Sequence, residues 1–258
     1  MIDPLHLKMQ WALSYPFTRP EGDFLFVDGR TLDIRSTKGP ISGWQVADRG
    51  HIRSLADVVG AARAKLLDEG AYHPVVAVGS NAAPVQLQRK FARYIDKVVI
   101  PVIAVRLPGH VICWANRIAV YGSVPATLAE EPGASVSAWA TLLSPRDYAL
   151  MNATEDLGVV YEAVPVKVEG APEAVHGPFE AYRCLTGHFN VRVSAFSAVN
   201  SNLPQGNQWT AQELAISRLG LETPVDRFVA ETVSDAALAA ERDRALSRAG
   251  QPPVSAGR

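Results

Sequence analysis

At 258 residues, with 48% hydrophobic and 20% charged side chains, the chain can bury a sizeable core and lies at the upper end of what one domain holds. A formal net charge of -1, without a basic run or an aromatic-basic alternation, excludes an electrostatic case for nucleic acid or an anionic membrane. Small molecules or proteins remain as partners.

Cys113 and Cys184 cannot build a disulfide framework and lack the spacing of a zinc site, so both are expected as buried thiols. The six histidines show no metal-ligand spacing either. No apolar stretch is long enough to cross a bilayer, and the start of the chain lacks a basic region followed by an apolar run. These features read as a cytoplasmic protein with no membrane partner.

Residues 1–72 form an N-terminal extension. Within it, residues 23–34 predict a hairpin turning at Asp28-Gly29, and Ser54 caps a helix over 55–67 that stops at Gly70. Next comes a β-branched run, 75–78, that halts at Gly79-Ser80-Asn81. Gly79 permits a tight turn, and the exposed N–H groups of such a turn can converge on a carboxylate, carbonyl oxygen or phosphate. Pro84 then suits a first helical position, with Leu87, Phe91 and Tyr94 spaced as a buried stripe.

Residues 98–105 and 111–114 are strand-like, and Pro101 marks the former as an edge strand or as interrupted there. Tyr121-Gly122-Ser123 reads as a loop, and residues 136–143 as another strand. Ser144-Pro145 opens a helix reaching about Thr154. Strands follow at 161–169 and 182–186. A capping box at Thr210 and Glu213 starts a helix ending near Gly220, Thr223-Pro224 opens another, and 235–248 is amphipathic ahead of a tail expected to be disordered.

On the helix begun by Ser144, Tyr148, Met151 and Glu155 fall at i, i+3 and i+7, so the Glu155 carboxylate projects from the core-facing stripe. Buried without a cation at hand, a carboxyl group is tuned for proton transfer near neutrality. Ser80 as a nucleophile lacks a histidine partner, a Gly-x-Ser-x-Gly elbow and a Ser-x-x-Lys motif.

Several motifs agree in order and separation. Val78-Gly79-Ser80-Asn81 follows a first strand. Residues 121–133 are a Gly-rich segment with Ala126-Thr127 and Pro132-Gly133, followed by the strand from Val136, and Met151-Asn152-Ala153-Thr154-Glu155 precedes Tyr161. Over residues 75 to about 170 this pattern resembles the γ-glutamylcyclotransferase-like family, which includes the γ-glutamylamine cyclotransferases. The resemblance implies an α+β fold, a mixed, strongly curved sheet or small barrel with flanking helices. The catalytic domain would span 73–234, with the extension before it and a C-terminal helix and flexible tail over 235–258.

By the same resemblance Glu155 is the general acid/base, and Val78, Gly79, Ser80, Asn81 and Tyr161 bind a small-molecule substrate, with neither metal nor organic cofactor. The reaction would be attack of the substrate's free α-amine on its own γ-carbonyl, giving 5-oxoproline and expelling the amine to which the γ-glutamyl group had been attached. Two departures leave the substrate open: Val78 stands for the family's tyrosine, and Asp156 for the glycine after the glutamate. Two other readings keep the pocket: hydrolysis of another small amide by a Glu155-activated water, and a non-catalytic metabolite-binding module. The extension is left to cover the pocket mouth or to serve as a homo-oligomer contact.

Overall fold

The computed structural model describes residues 3–250. In chain order its elements are α1 (Pro4–Leu13), β1 (Phe24–Val27), β2 (Arg30–Ser36), β3 (Gln45–Asp48), β4 (His51–Ser54), α2 (Leu55–Val59), α3 (Ala61–Asp68) and β5 (His73–Ala77). There follow α4 (Pro84–Lys90), β6 (Val99–Ala115), β7 (Ala126–Leu143), α5 (Pro145–Thr154), β8 (Tyr161–Val166), β9 (Phe179–Cys184) and β10 (His188–Val193). The last are β11 (Ala198–Val199), β12 (Gln205–Gly206), α6 (Gln208–Arg218), α7 (Val225–Ser234) and α8 (Ala236–Gly250).

The fold is α+β. Its main sheet runs β4-β3-β2-β1-β6-β7-β5-β9-β8, with β10 added to β6 and β11 to β7. Most pairs are antiparallel, but β5 and β9 run parallel, so the sheet is mixed. The order has free ends at β4 and β8, which makes the sheet open and not a small barrel. Helices cover both faces. Along β5, Val75 and Ala77 pack with Leu87, Phe91 and Met151 of the α4–α5 side, while Val76 and Val78 join the larger core that includes Phe228 of α7. Burial on both faces is why this strand reads as an unbroken apolar run instead of an alternation.

The first hairpin forms as expected, with Val27 opposite Arg30 across Asp28-Gly29, whose positive φ values suit a tight turn. It is not a free-standing appendage: β1 pairs with β6 from Phe24↔Val102 to Val27↔Val99. The two apolar runs after residue 98 are one long strand, kinked where Gly109 takes φ +74 and the β6–β7 register shifts. Pro101 sits one residue before the β6–β7 ladder starts at Val102, where its missing N–H costs no bond to β7. Likewise β7 begins at Ala126, ten residues before the strand read from sequence.

Other helices differ in detail from the sequence pattern. The 55–67 segment breaks into α2 and α3 because Gly60 adopts φ +88, a conformation that ends a helix. Helix α4 stops at Lys90, and Tyr94, expected in the buried stripe, is 43% exposed in a short 3-10 segment. Helix α6 starts earlier than the Thr210 box: Asn207 is its cap, accepting from the Thr210 N–H. Helix α5 starts as read, with Ser144 capping Asp147. Both cysteines are buried. No helix among the described residues is long and apolar enough to cross a membrane, and the tail from residue 251 lies outside the described residues.

Because β1 completes the β6 edge, deleting residues 1–72 would expose a row of unpaired strand groups and the apolar side chains beneath them. The truncated chain is expected to aggregate or to lose its cooperative thermal transition. Recovery of a soluble species melting like the full chain would contradict this assembly.

Candidate active site

Strand β5 delivers the chain to the middle of the sheet, and residues 78–83 turn it out of the sheet into α4. Ser80–Ala82 form a single 3-10 turn, and Pro84 opens α4. The first N–H groups of such a turn have no acceptor within it. Gly79 is required by a close approach, not by its φ of -142: a Cβ there would overlap the hydroxyl oxygen of Tyr15. On its other side Arg19 donates to the Gly79 carbonyl oxygen at 3.1 Å. Arg19 is itself held between Trp139 and Phe196, 4.6 and 4.3 Å from the ring centres, and donates to the Ala195 carbonyl. The Gly79–Ser80 peptide is trans, so fixing the carbonyl toward Arg19 turns the Ser80 N–H away from it.

Beside this turn lies a cavity of about 380 Å³. Its walls include all six residues singled out from sequence: Val78, Gly79, Ser80, Asn81, Glu155 and Tyr161. Helix α5 ends one residue before Glu155, which acts as the C-cap, its N–H bonding the Asn152 carbonyl. The carboxylate therefore leaves the helix end and not its flank. Asn81 Nδ2 donates to Glu155 Oε1 at 3.1 Å, a direct bond between the turn and the acidic residue.

The isolated glutamate pictured from sequence is not what forms. Lys90, the last residue of α4, donates to the same Oε1 in an ion pair with side chains only 7% and 13% exposed. Its ammonium also donates to Thr154 Oγ1 at 2.8 Å and contacts Met151 Sδ at 3.5 Å. Both bonds to Glu155 fall on Oε1, and among the described residues nothing donates to Oε2. Asp156 next to it has φ +47, the left-handed turn that follows many helices and that glycine or a short Asx side chain tolerates. That geometry gives the reason a glycine suits this position.

Sequence reasoning missed Lys90, Arg89, Arg117, Tyr15, Tyr121 and Tyr182, all in the cavity wall. The Tyr121-Gly122-Ser123 loop is a loop as read, yet its tyrosine faces the cavity. Arg89 lies over the Tyr121 ring at 5.3 Å, and Arg117 over Tyr161 at 5.7 Å while pairing with Asp243 of α8 at 3.3 Å. Burial pushes Tyr121 up to about 12 and holds Tyr15, Tyr161 and Tyr182 far above the ordinary tyrosine range. Glu155 is among the charges that raise all four. The wall is thus a set of neutral phenols around one ion pair, with two arginines beside it.

A buried pair is costly to break from one side only, because the survivor keeps an uncompensated charge. Lys90→Met and Glu155→Gln are each expected to lower unfolding free energy by about 3 kcal/mol, with the double variant recovering part of the loss; additive losses in urea titrations would count against a coupled pair. Asp156→Gly, which relieves the left-handed backbone, should raise stability by up to about 1 kcal/mol in the same assay. A clear destabilisation would show that the Asp156 side chain is needed.

No protein-family profile matches the chain, and no curated protein matches it. Solved structures similar to it include a γ-glutamyl cyclotransferase, 14% identical, with 72% of this chain and 92% of that one covered at a TM-score of 0.37. An uncharacterized protein from Homo sapiens is 14% identical, with coverage of 73% and 93% and a TM-score of 0.38. A protein from Arabidopsis thaliana solved in solution is 17% identical, with coverage of 45% and 70% and a TM-score of 0.35. At such identities and TM-scores these likenesses carry no weight in assigning a reaction to the pocket.

Proposed function

We propose that the protein is a cyclotransferase-type enzyme acting on a γ-glutamyl amine, peptide or related small amide, releasing 5-oxoproline and an amine with Glu155 as general acid/base. The observation that carries the reading is the 3.1 Å bond from Asn81 to Glu155, which joins an acidic group to the Gly-Ser-Asn turn in the wall of one cavity.

The substrate brings its own nucleophile. Its α-ammonium gives a proton to the Glu155 carboxylate, the freed amine adds to the γ-carbonyl carbon, and the carbonyl electron pair moves onto oxygen. When the oxyanion collapses, Glu155 returns its proton to the leaving nitrogen as that bond to carbon breaks, and the regenerated carboxylate takes the second proton from the ring nitrogen and passes it to the released amine, which departs as an ammonium. The ion pair with Lys90 presents a carboxylate, the form the first step uses. Turn N–H groups at Ser80 and Asn81 would hold the oxyanion, each well-placed donor contributing on the order of 3 kcal/mol. Arg117 and Arg89 are the groups in the wall suited to the substrate's α-carboxylate.

The Lys90 contact also favours a second reading, a binding pocket in which Glu155 is only an ion-pair partner. Glu155→Gln distinguishes the two. On the enzymatic reading, 5-oxoproline formation from a panel of γ-glutamyl compounds falls by about 10²–10⁴-fold, in a variant whose circular dichroism is native at the assay temperature. Equal turnover in the variant removes the mechanism, and mass spectra showing a free carboxylic acid in place of 5-oxoproline assign the pocket to hydrolysis.

A further inference from the structure

The tyrosines of the cavity differ in what their hydroxyl protons do. Tyr182 donates to Asn152 Oδ1 at 2.5 Å. The Tyr15 hydroxyl oxygen accepts from the Ala126 N–H at 2.9 Å, and among the described residues no acceptor takes its proton. That proton is kept: the side chain is 5% exposed, and burial first, then the neighbouring Tyr121 and Glu155, disfavour ionisation.

The hydroxyl is also held in place. The Tyr15 ring packs against Trp114 and Phe17, with centroids 6.1 and 6.0 Å away. Ala126 belongs to the central strand β7, so its N–H is a rigid donor. Most telling is Gly79, whose missing side chain leaves the space that the Tyr15 oxygen fills directly above the turn backbone. A hydroxyl that lines the cavity, keeps its proton, has no internal acceptor and sits over the donor turn is placed to meet the same ligand oxygen as the turn.

We propose that Tyr15 is a catalytic residue whose hydroxyl donates a hydrogen bond to the oxygen of the amide carbonyl held over Gly79 and to the oxyanion formed when the substrate's amine adds to that carbon. No proton is transferred from the phenol; the bond strengthens as charge moves onto oxygen. The N-terminal segment thereby completes the site, delivering at Tyr15 a donor that position 78, a valine, does not supply. This inference rests on the cyclotransferase reading of the same pocket.

The test is steady-state formation of 5-oxoproline by the full chain, comparing wild type with Tyr15→Phe. Phenylalanine keeps the ring and removes only the hydroxyl. Loss of about 10²-fold or more in kcat with KM little changed is expected. A Tyr15→Phe enzyme within about threefold of wild type in kcat overturns the inference and leaves the cyclotransferase reading standing. Wild-type enzyme that forms no 5-oxoproline from any γ-glutamyl compound overturns both. Should Tyr15→Phe fail to fold, 3-fluorotyrosine introduced at position 15 keeps ring and oxygen while making the phenol a better donor. A change in kcat of about twofold or more is then expected, with none for the same replacement at Tyr72, whose hydroxyl bonds the Ala174 carbonyl away from the cavity. An unchanged kcat with fluorotyrosine at position 15 contradicts the inference.

Discussion

Lys90 and Glu155 close the end of α4 onto the end of α5, and everything at the site is arranged around that buried ion pair. The two helices lie on the same face of the sheet, packing Leu87, Phe91 and Met151 over Val75 and Ala77. Packing alone would leave their ends free to fray. The ion pair, the Thr154 hydroxyl and the Asn81 amide together fix the carboxylate to the turn that follows β5. Such a pair is weak grounds for high stability, since removing two charges from water offsets much of their attraction. Its value is positional: a carboxylate anchored by one oxygen keeps the other available to a ligand.

The turn is fixed from the opposite side by a segment far away in sequence. Arg19 holds the Gly79 carbonyl, Tyr15 occupies the space over its Cα, and both depend on aromatic and backbone partners in the central strands and the 195–196 loop. This clamping holds a short 3-10 turn in place without a long helix behind it. It also gives Tyr15 a place in the cavity wall in addition to its place in the core. Preorganisation of this kind, with donors set before the substrate arrives, is where most transition-state stabilisation is found.

What could be read from the sequence was local. Ser144 capping Asp147, Pro84 opening a helix and the Asp28-Gly29 hairpin each follow from a few neighbouring residues, and each formed. The i, i+3, i+7 spacing brought Glu155 near the right direction although it caps the helix instead of riding on its flank. Non-local features were beyond reach: Lys90 lies 65 residues from Glu155, and Tyr15 lies 111 from Ala126, so no spacing rule could pair them. The choice between an open sheet and a barrel was equally hidden, because it depends on whether the far edges β4 and β8 meet, which no single strand encodes. Gly60 breaks the 55–67 helix through its left-handed φ, and Asn207 caps α6 from three residues before Thr210.

The most direct test of the account is a crystal structure of the protein with 5-oxoproline bound. The account predicts the lactam in the cavity, its carbonyl oxygen about 3 Å from the turn N–H groups and the Tyr15 hydroxyl, and its ring nitrogen within reach of Glu155. Lactam bound elsewhere, or a Glu155 still sealed by Lys90 with the ligand's carbonyl turned away from Gly79, would contradict it.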